Sequence, residues 1–205
     1  MAIGKTQKNY TKHKTMINPT SITQYGRNKY ALQEFILFCI CVSGKRSIIE
    51  APKLDAFLAD NPFPLPLQPF QLIQYLDSVG KLEEHLQKHR ISPYGQRVKS
   101  FRAVAKLKNL DTIEVAELVG VPGIGLKTSR FFLSHSRKGF DEPMLDTHIL
   151  RYLRDNGYDD APKATPQNPD VYARFARAFK TLAERLGKSV TKLDLEVWTE
   201  YSQAA

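Results

Sequence analysis

The chain has 205 residues, enough for one compact core or for two small lobes that share an interface, and too few for several independent domains. Lysine and arginine number 30 against 21 acidic residues, and the net charge of +9 favours a polyanionic partner, with nucleic acid as the leading candidate. The longest apolar stretch, 35–42, is too short to cross a membrane and no cleaved signal is recognisable, so we expect an intracellular protein, in cytoplasm and nucleoid or in a nucleus, without membrane contact.

The first element is a basic segment that precedes any predicted helix. Residues 1–33 contain no acid but six lysines and arginines, and residues 1–18 are predicted to form a flexible basic arm, which either holds phosphates or is a solvated tail. Ser21 is a candidate cap for a first helix that ends near Gly44. This helix carries the two cysteines, Cys39 and Cys41, whose spacing suits neither a disulfide nor a metal site. We interpret them as core thiols and expect no metal site.

The next helices follow from apolar spacing and from the positions of the prolines. A second helix is predicted around 53–58, the four prolines of 61–69 require an irregular connection, and another helix begins near Leu72. Residues 85–110 contain no acid and seven lysines and arginines, with a turn at 92–95 before a helix.

One face of the helix after this turn is basic. Lys99, Arg102 and Lys106 recur at spacings of three and four beside an apolar stripe, and this face either follows a phosphate backbone or is simply solvated. The DNA contacts predicted here are Arg97, Lys99 and Arg102. An amphipathic helix around 171–186 and a last one around 195–201 are assigned to scaffold, and no strand alternation occurs, so the predicted fold class is all-α.

The most informative segment is 118–128, where a helical stretch meets the turn Pro122-Gly123-Ile124-Gly125 and a second helix begins. Two glycines in such a turn permit positive φ and leave backbone amides uncovered. Uncovered amides at a helix start attract an anion, so Gly123, Gly125 and Thr128 are predicted to contact a DNA phosphate.

This turn resembles the helix-hairpin-helix motif of the DNA glycosylase (HhH-GPD) superfamily that includes endonuclease III and 8-oxoguanine DNA glycosylase, most strongly over 94–158. In bifunctional members a catalytic lysine follows the second glycine by two residues, the position of Lys127. The family's essential aspartate matches Asp146, in Leu-Asp-Thr-His. The resemblance implies a two-lobed all-α glycosylase fold and a monomer that binds double-stranded DNA with a damaged or modified base.

The matched residues suit the reaction that the resemblance implies. A partly desolvated amine near the positive end of a helix dipole is more easily held in its neutral, nucleophilic form, so Lys127 is predicted to attack C1′ and to form an imine that permits β-elimination. Asp146 would stabilise the cationic sugar and help to move protons. The alternatives are a phosphate contact for Lys127 and a helix cap for Asp146. His148 is predicted to contact DNA phosphate or to be structural.

Other parts of the pattern leave the substrate open. The target nucleotide must leave the stack, and Tyr94 or Gln96 is a candidate wedge. In the family, a polar turn usually helps to admit the flipped base, and the matching stretch of this chain has Ser43 and Lys45 instead. The identity of the base therefore stays open among an oxidised purine, an oxidised pyrimidine and a hypermodified thymine. The four cysteines of an iron-sulfur cluster are missing after Asp146, so no cluster is expected; a monovalent cation at the hairpin is compatible with the resemblance.

The predicted lobes are a central one, 45–158, with the hairpin at about 112–136, and a second one built from 19–44 and 159–205. Lys127 and Asp146 would lie in the cleft between them. Two alternatives to a bifunctional glycosylase and lyase stay open: a phage-type base-modifying transferase on the same fold and a noncatalytic DNA-binding module.

Overall fold

The structure is a computed structural model that describes residues 17–19 and 21–203, and within these residues it contains ten helices and no strand. The all-α prediction is therefore confirmed. The predicted arm of 1–18 lies outside the described residues, apart from its last two positions. None of the described helices is long and apolar enough to cross a bilayer. The helices are α1 (Lys29–Cys41), α2 (Ser47–Ala59), α3 (Pro69–Ser78), α4 (Leu82–Lys88), α5 (Tyr94–Val104), α6 (Val115–Val119), α7 (Leu126–Ser136), α8 (Thr147–Asp155), α9 (Pro169–Arg185) and α10 (Val190–Gln203).

Helix α1 forms the centre of a first core. All ten of its residues from 32 to 41 are buried, eight apolar ones together with Gln33 and Glu34, so this part of the helix has no face toward water. The helix packs against α2, α3, α5 and α7. Its cap is Asn28, which accepts the N–H of Ala31 at 2.9 Å, rather than the predicted Ser21. The segment before α1 is not helical and is fixed by Arg27. The Arg27 guanidinium donates hydrogen bonds to the backbone carbonyls of Ile22, Gln24 and His135.

A second core is formed by α8, α9 and α10, whose buried residues run from Leu145 to Val197. The helices thus group differently from the predicted lobes, which placed the N-terminal helix with the C-terminal helices and α8 with the central ones. The physical reason is that α1 is buried on all sides and requires a surrounding ring of helices, which α2, α3, α5 and α7 provide. Contacts between the two cores include those of α7, where Leu126 packs against the second core and the Arg130 guanidinium lies 4.6 Å from the Tyr172 ring centre.

The segment that joins α7 to α8 is fixed by residues of the C-terminal helices. The buried hydroxyl of Tyr172 donates to the carbonyl of Pro143 at 2.8 Å and accepts the N–H of Leu145 at 3.0 Å. Asp141 accepts the first N–H groups of α10, and Lys180 of α9 pairs with Glu142. Satisfied buried polar groups of this kind hold a backbone in one conformation, so the residue that follows, Asp146, has a defined position.

Candidate active site

The hairpin between α6 and α7 is a tight turn that depends on Gly123. This residue has φ +84°, the left-handed region that side chains other than glycine rarely adopt. A Cβ atom on Gly123 would lie 2.4 Å from the Ser100 hydroxyl oxygen of α5, too close for two atoms that are not bonded. Gly125 differs, because its φ of −94° and ψ of −176° are ordinary extended angles. The expected positive φ is thus confirmed for Gly123 and wrong for Gly125.

Gly125 is the N-cap of α7 and has no side chain that could accept a hydrogen bond from the first turn. The N–H groups at the start of α7 therefore lack a side-chain cap, and such groups attract anions together with the helix dipole. A Cβ atom on Gly125 would meet only the side-chain oxygen of Gln167, at 3.7 Å, so the small residue here keeps the amides open rather than preventing a clash.

Lys127 and Asp146 line the same cavity, although they belong to different cores. The cavity has a volume of about 820 Å³, within the range of roughly 300–1,000 Å³ typical of small-molecule sites. Lys127 stands in the first turn of α7, half-buried, with its Nζ 5.4 Å from the ring centre of Phe131. The fold therefore brings an amine and a carboxylate to the walls of one solvent-accessible space.

Asp146 is the N-cap of α8. Its Oδ1 accepts the N–H of His148 at 2.9 Å and that of Ile149 at 3.0 Å. The capping alternative from the sequence is thus realised in the structure, and since both donors use one oxygen, the cap leaves Oδ2 outside these hydrogen bonds. A carboxylate anchored by one oxygen is held in a fixed direction while the other oxygen can interact with a positive charge.

The rest of the cavity wall comes from both cores. It contains the hairpin turn, the chain after α1, residues at the start of α8, a loop before α9 and one side chain of α10. The lining residues are Val42, Ser43, Gly44, Lys45, Arg46, Gln96, Val119, Gly120, Val121, Pro122, Gly123, Ile124, Gly125, Leu126, Lys127, Thr128, Asp146, Thr147, His148, Thr165, Gln167 and Trp198.

Three of the four predicted pocket or wedge residues reach this cavity. Ser43, Lys45 and Gln96 line it, whereas Tyr94 is half-buried against the first core. The Lys45 ammonium donates to the backbone carbonyl of Ser92 at 2.5 Å and to its hydroxyl at 3.1 Å. Lys45 therefore ties the loop after α1 to the turn before α5.

The predicted DNA contacts divide into residues at the cavity and residues away from it. Gly123, Gly125, Thr128 and His148 line the cavity, although Thr128 is 7% exposed. Lys99 is exposed on α5 outside the cavity lining.

The two predicted arginine contacts on α5 have protein partners. Arg97 is buried and donates to the carbonyl of Cys41 at 3.3 Å, and burial lowers the pKa of its guanidinium. Arg97 therefore joins α5 to the end of α1, and the prediction that it contacts DNA does not agree with this position. Arg102 is exposed but forms a fork of hydrogen bonds with Asp77, and this ion pair would compete with a phosphate.

Asp194 is a buried carboxyl group near the cavity that the sequence analysis missed. It is 8% exposed in α10 and accepts a long hydrogen bond of 3.5 Å from the N–H of Met144. Burial, together with the negative charge of Asp146, raises the pKa of Asp194 to about 7, against smaller opposing effects of the Met144 N–H and of Lys127. The available signal was an acid within the apolar stripe formed by Val190, Leu193 and Val197.

Trp198 is the second residue that the sequence analysis missed, since the last helix was assigned to scaffold. It lies one helical turn after Asp194, lines the cavity and is 52% exposed. A large aromatic residue that stays half exposed beside a cavity is unlike a core residue and offers a flat surface for stacking. The signal available in the sequence was the spacing of four residues between Asp194 and Trp198, which places both on one face of the last helix.

Comparisons with known proteins give consistent matches, although no family model matches the chain. Two curated relatives are 8-oxoguanine DNA glycosylase/AP lyases. The protein from Saccharolobus solfataricus is 31% identical over 81 residues, which are 40% of this chain and only 39% of the relative. The protein from Methanocaldococcus jannaschii is 29% identical over 185 residues, 84% of this chain and 82% of the relative.

Two solved structures have a similar fold. Both are of the Methanocaldococcus jannaschii 8-oxoguanine DNA glycosylase, one of them in complex with a 15mer DNA containing 8-oxoguanine. The first has a TM-score of 0.62 at 22% identity and covers 86% of this chain and 80% of its own. The complex has a TM-score of 0.62 at 21% identity and covers 87% of this chain and 84% of its own.

We expect Gly123→Ala to destabilise the protein more than Gly157→Ala. Both glycines have a positive φ, but a Cβ atom at Gly157 meets no atom within 4 Å, whereas at Gly123 it collides with Ser100. Backbone strain costs about 1–2 kcal/mol in each variant, and the collision adds about 1–3 kcal/mol in Gly123→Ala alone. Denaturant unfolding measures both free energies. Adding Ser100→Ala should recover part of the Gly123→Ala loss, and equal losses in the two single variants would contradict the contact.

We expect the unfolding free energy of Asp194→Asn to increase, relative to that of the unsubstituted protein, as the pH rises. An unfolded aspartate titrates near about 3.9, and the pKa of folded Asp194 is about 7. Between these values the folded state binds a proton that the unfolded state has lost, so the unfolding free energy falls with rising pH, and asparagine removes this loss. Unfolding free energies at about pH 5 and about pH 8 test the sign. A difference between the two proteins that does not change with pH would refute it.

Proposed function

We propose that the chain is a member of the helix-hairpin-helix superfamily of DNA glycosylases, and that it is a bifunctional DNA glycosylase and AP lyase that excises an oxidised purine of the 8-oxoguanine type from double-stranded DNA. The observation that carries this proposal is the shared cavity of Lys127 and Asp146. The substrate class rests on the named activity of the two curated relatives.

The charge of the protein and the hairpin supply the binding step. A net charge of +9 draws the protein to DNA whatever its sequence. The uncapped N–H groups at the start of α7 then bind one phosphate beside the cavity, which fixes the register of the strand without contacting a base. The cavity takes up the target nucleotide after it leaves the base stack.

Lys127 supplies the nucleophile. Its neutral amine forms a bond to C1′ of the extruded nucleotide while the bond from C1′ to the base breaks, and the base leaves with its electron pair and a proton. The amine adduct then opens the sugar ring to a protonated imine. Removal of a C2′ proton expels the 3′ phosphate by β-elimination, which cuts the strand.

Asp146 supplies charge stabilisation. Positive charge develops on the sugar as the base leaves, and a fixed carboxylate is most effective where the charge forms. The cap hydrogen bonds to Oδ1 hold the group in place, so no reorganisation is needed during the reaction. The same carboxylate is suited to accept the proton that Lys127 must lose before it attacks.

Trp198 gives the cavity a surface for an aromatic base. Its half-exposed indole stands at the wall, and stacking of a base on an aromatic ring contributes about 1–3 kcal/mol. Ser43 and Lys45 place a hydroxyl and an ammonium at the same cavity, and these groups can distinguish an oxidised base from an ordinary one through its added oxygen and N–H group.

The two alternatives from the sequence, a base-modifying transferase and a noncatalytic binding module, are not favoured, because both curated relatives are glycosylase/AP lyases. The proposed chemistry uses only an amine and a carboxylate, so it requires no cofactor. A monovalent cation at the hairpin stays a prediction, and it would act on DNA binding alone.

The proposal predicts strand cutting at one class of lesion that depends on Lys127. Duplexes that each contain one oxidised purine, one oxidised pyrimidine or no lesion are incubated with the protein, and products are resolved on a denaturing gel. We expect cutting at 8-oxoguanine, and a loss of at least about a hundredfold in Lys127→Gln. Lys99→Gln is the control for general loss of positive charge. Cutting at pyrimidines alone would reject the substrate class, and full activity of Lys127→Gln would reject the mechanism.

Asp146→Asn separates catalysis from helix capping. Asparagine caps a helix about as well as aspartate, so the variant should keep its stability and its DNA affinity, while base release falls by about 10²–10⁴. Asp146→Ala should lose base release and, in addition, about 1 kcal/mol of unfolding free energy. Base release is measured after alkaline cleavage of the product, which makes it independent of the lyase step. Normal base release in Asp146→Asn would assign the residue to the cap alone.

A further inference from the structure

Three side chains with metal-binding atoms meet on the surface of the first core, where α2 and α4 end. Asp60 is the C-cap of α2, His85 lies in α4 and His89 is the C-cap of α4. His89 Nε2 lies 2.9 Å from Asp60 Oδ2, and His85 Nδ1 lies 3.6 Å from the same oxygen. One ligand atom of each residue falls within a group no wider than 4.8 Å. None of the three lines the cavity of Lys127 and Asp146.

The hydrogen bond between His85 and Phe57 determines which ring nitrogen of His85 carries the hydrogen and which one has a free lone pair toward Asp60. Its Nε2 lies 3.1 Å from the carbonyl oxygen of Phe57, and a carbonyl can only accept, so Nε2 carries the hydrogen. In the neutral ring Nδ1 then has a lone pair. A lone pair and a carboxylate oxygen thus face each other, an arrangement that a cation between them would satisfy.

The two separations that involve Asp60 are also close to those around a tetrahedral ion. Bonds of about 2.0–2.1 Å to nitrogen and oxygen place two tetrahedral ligand atoms about 3.3 Å apart, and the observed distances of 2.9 and 3.6 Å lie on either side of this value. The hydrogen bond from His85 Nε2 to a backbone carbonyl is the outer contact that orients metal-binding histidines. We propose that Asp60, His85 and His89 bind one divalent transition-metal ion of the zinc type, with solvent as the fourth ligand.

Lys88 competes with this ion. Its Nζ lies 2.6 Å from Asp60 Oδ2, yet its side chain is 63% exposed, so it can turn into solvent at little cost. Without metal, the ammonium group neutralises the carboxylate. The ion must displace the ammonium group, and removal of the Lys88 charge should therefore raise the affinity for metal.

The site joins two helix ends next to the first core. His85 packs edge-on against the buried ring of Phe57, with the ring centres 4.8 Å apart. An ion held by one residue of α2 and two of α4 would restrain both helices around this ring. Its effect would be on stability, since binding to the folded state alone stabilises it, and it does not depend on the proposed reaction.

The test is a metal titration of the full chain, prepared without a polyhistidine tag and treated with a chelator. Zinc chloride is titrated in a calorimeter, and the unfolding temperature is measured with and without zinc. The variants are His89→Gln, which removes a ligand, and Lys88→Gln, which removes the competitor. His148→Gln is the control for general loss of a histidine, because His148 lies at the cavity of Lys127 and Asp146, away from the proposed metal site.

We expect one zinc ion per chain and a rise in unfolding temperature of about 5 °C at saturation. Affinity should fall at least about tenfold in His89→Gln, rise in Lys88→Gln and stay unchanged in His148→Gln. No binding at one ion per chain, or equal affinities in the unsubstituted protein, His89→Gln and Lys88→Gln, would overturn the site. Lys88→Gln removes an exposed side chain and keeps the test valid if His89→Gln does not fold.

Discussion

The position of Asp146 depends on one hydroxyl group of the second core. Tyr172 bridges the backbone on both sides of Met144, accepting from Leu145 and donating to Pro143. These three groups are buried, and a buried backbone group without a partner costs about 1–3 kcal/mol. The chain between α7 and α8 is therefore held in one path, and Asp146 begins α8 at the wall of the cavity that α7 opens on the other side. The guanidinium of Arg130 in α7 lies 4.6 Å from the Tyr172 ring centre, so both walls share this anchor.

The candidate site consists of opposite charges in a partly buried setting. Lys127 stands in an N-terminal turn, where the helix dipole opposes a positive charge, and Asp146 and Asp194 supply two carboxyl groups to its surroundings. Burial raises the pKa of Asp194 to about 7, so this carboxyl group gains its negative charge only near neutral pH. Since Lys127 is among the charges that act on Asp194, the charge around Lys127 changes near neutral pH.

The parts of the protein that follow from local chemistry could be predicted from the sequence. The turn of 122–125 followed by Lys127, and the cap pattern around Asp146, are short motifs whose residues act next to one another in the chain, and both reach the expected cavity. The lobes could not be predicted in the same way, because apolar spacing shows that a helix is buried but does not show which helices surround it. Arg97 was misassigned for a related reason. Its charge suggested DNA, whereas packing of α5 against the end of α1 buries it.

Residues that meet only through packing were missed. Trp198 and Asp194 reach the cavity region because α10 packs on α8. Asp60 meets His85 and His89 because the C-terminal end of α2 lies beside α4.

Whether Lys127 is the nucleophile is decided by trapping the covalent intermediate. Duplex DNA with an abasic site is incubated with the protein, the imine is reduced with borohydride, and the modified peptide is mapped by mass spectrometry. We expect the adduct on Lys127; an adduct on Lys45, the other lysine among the described residues that line the cavity, or no adduct at all, would contradict this assignment.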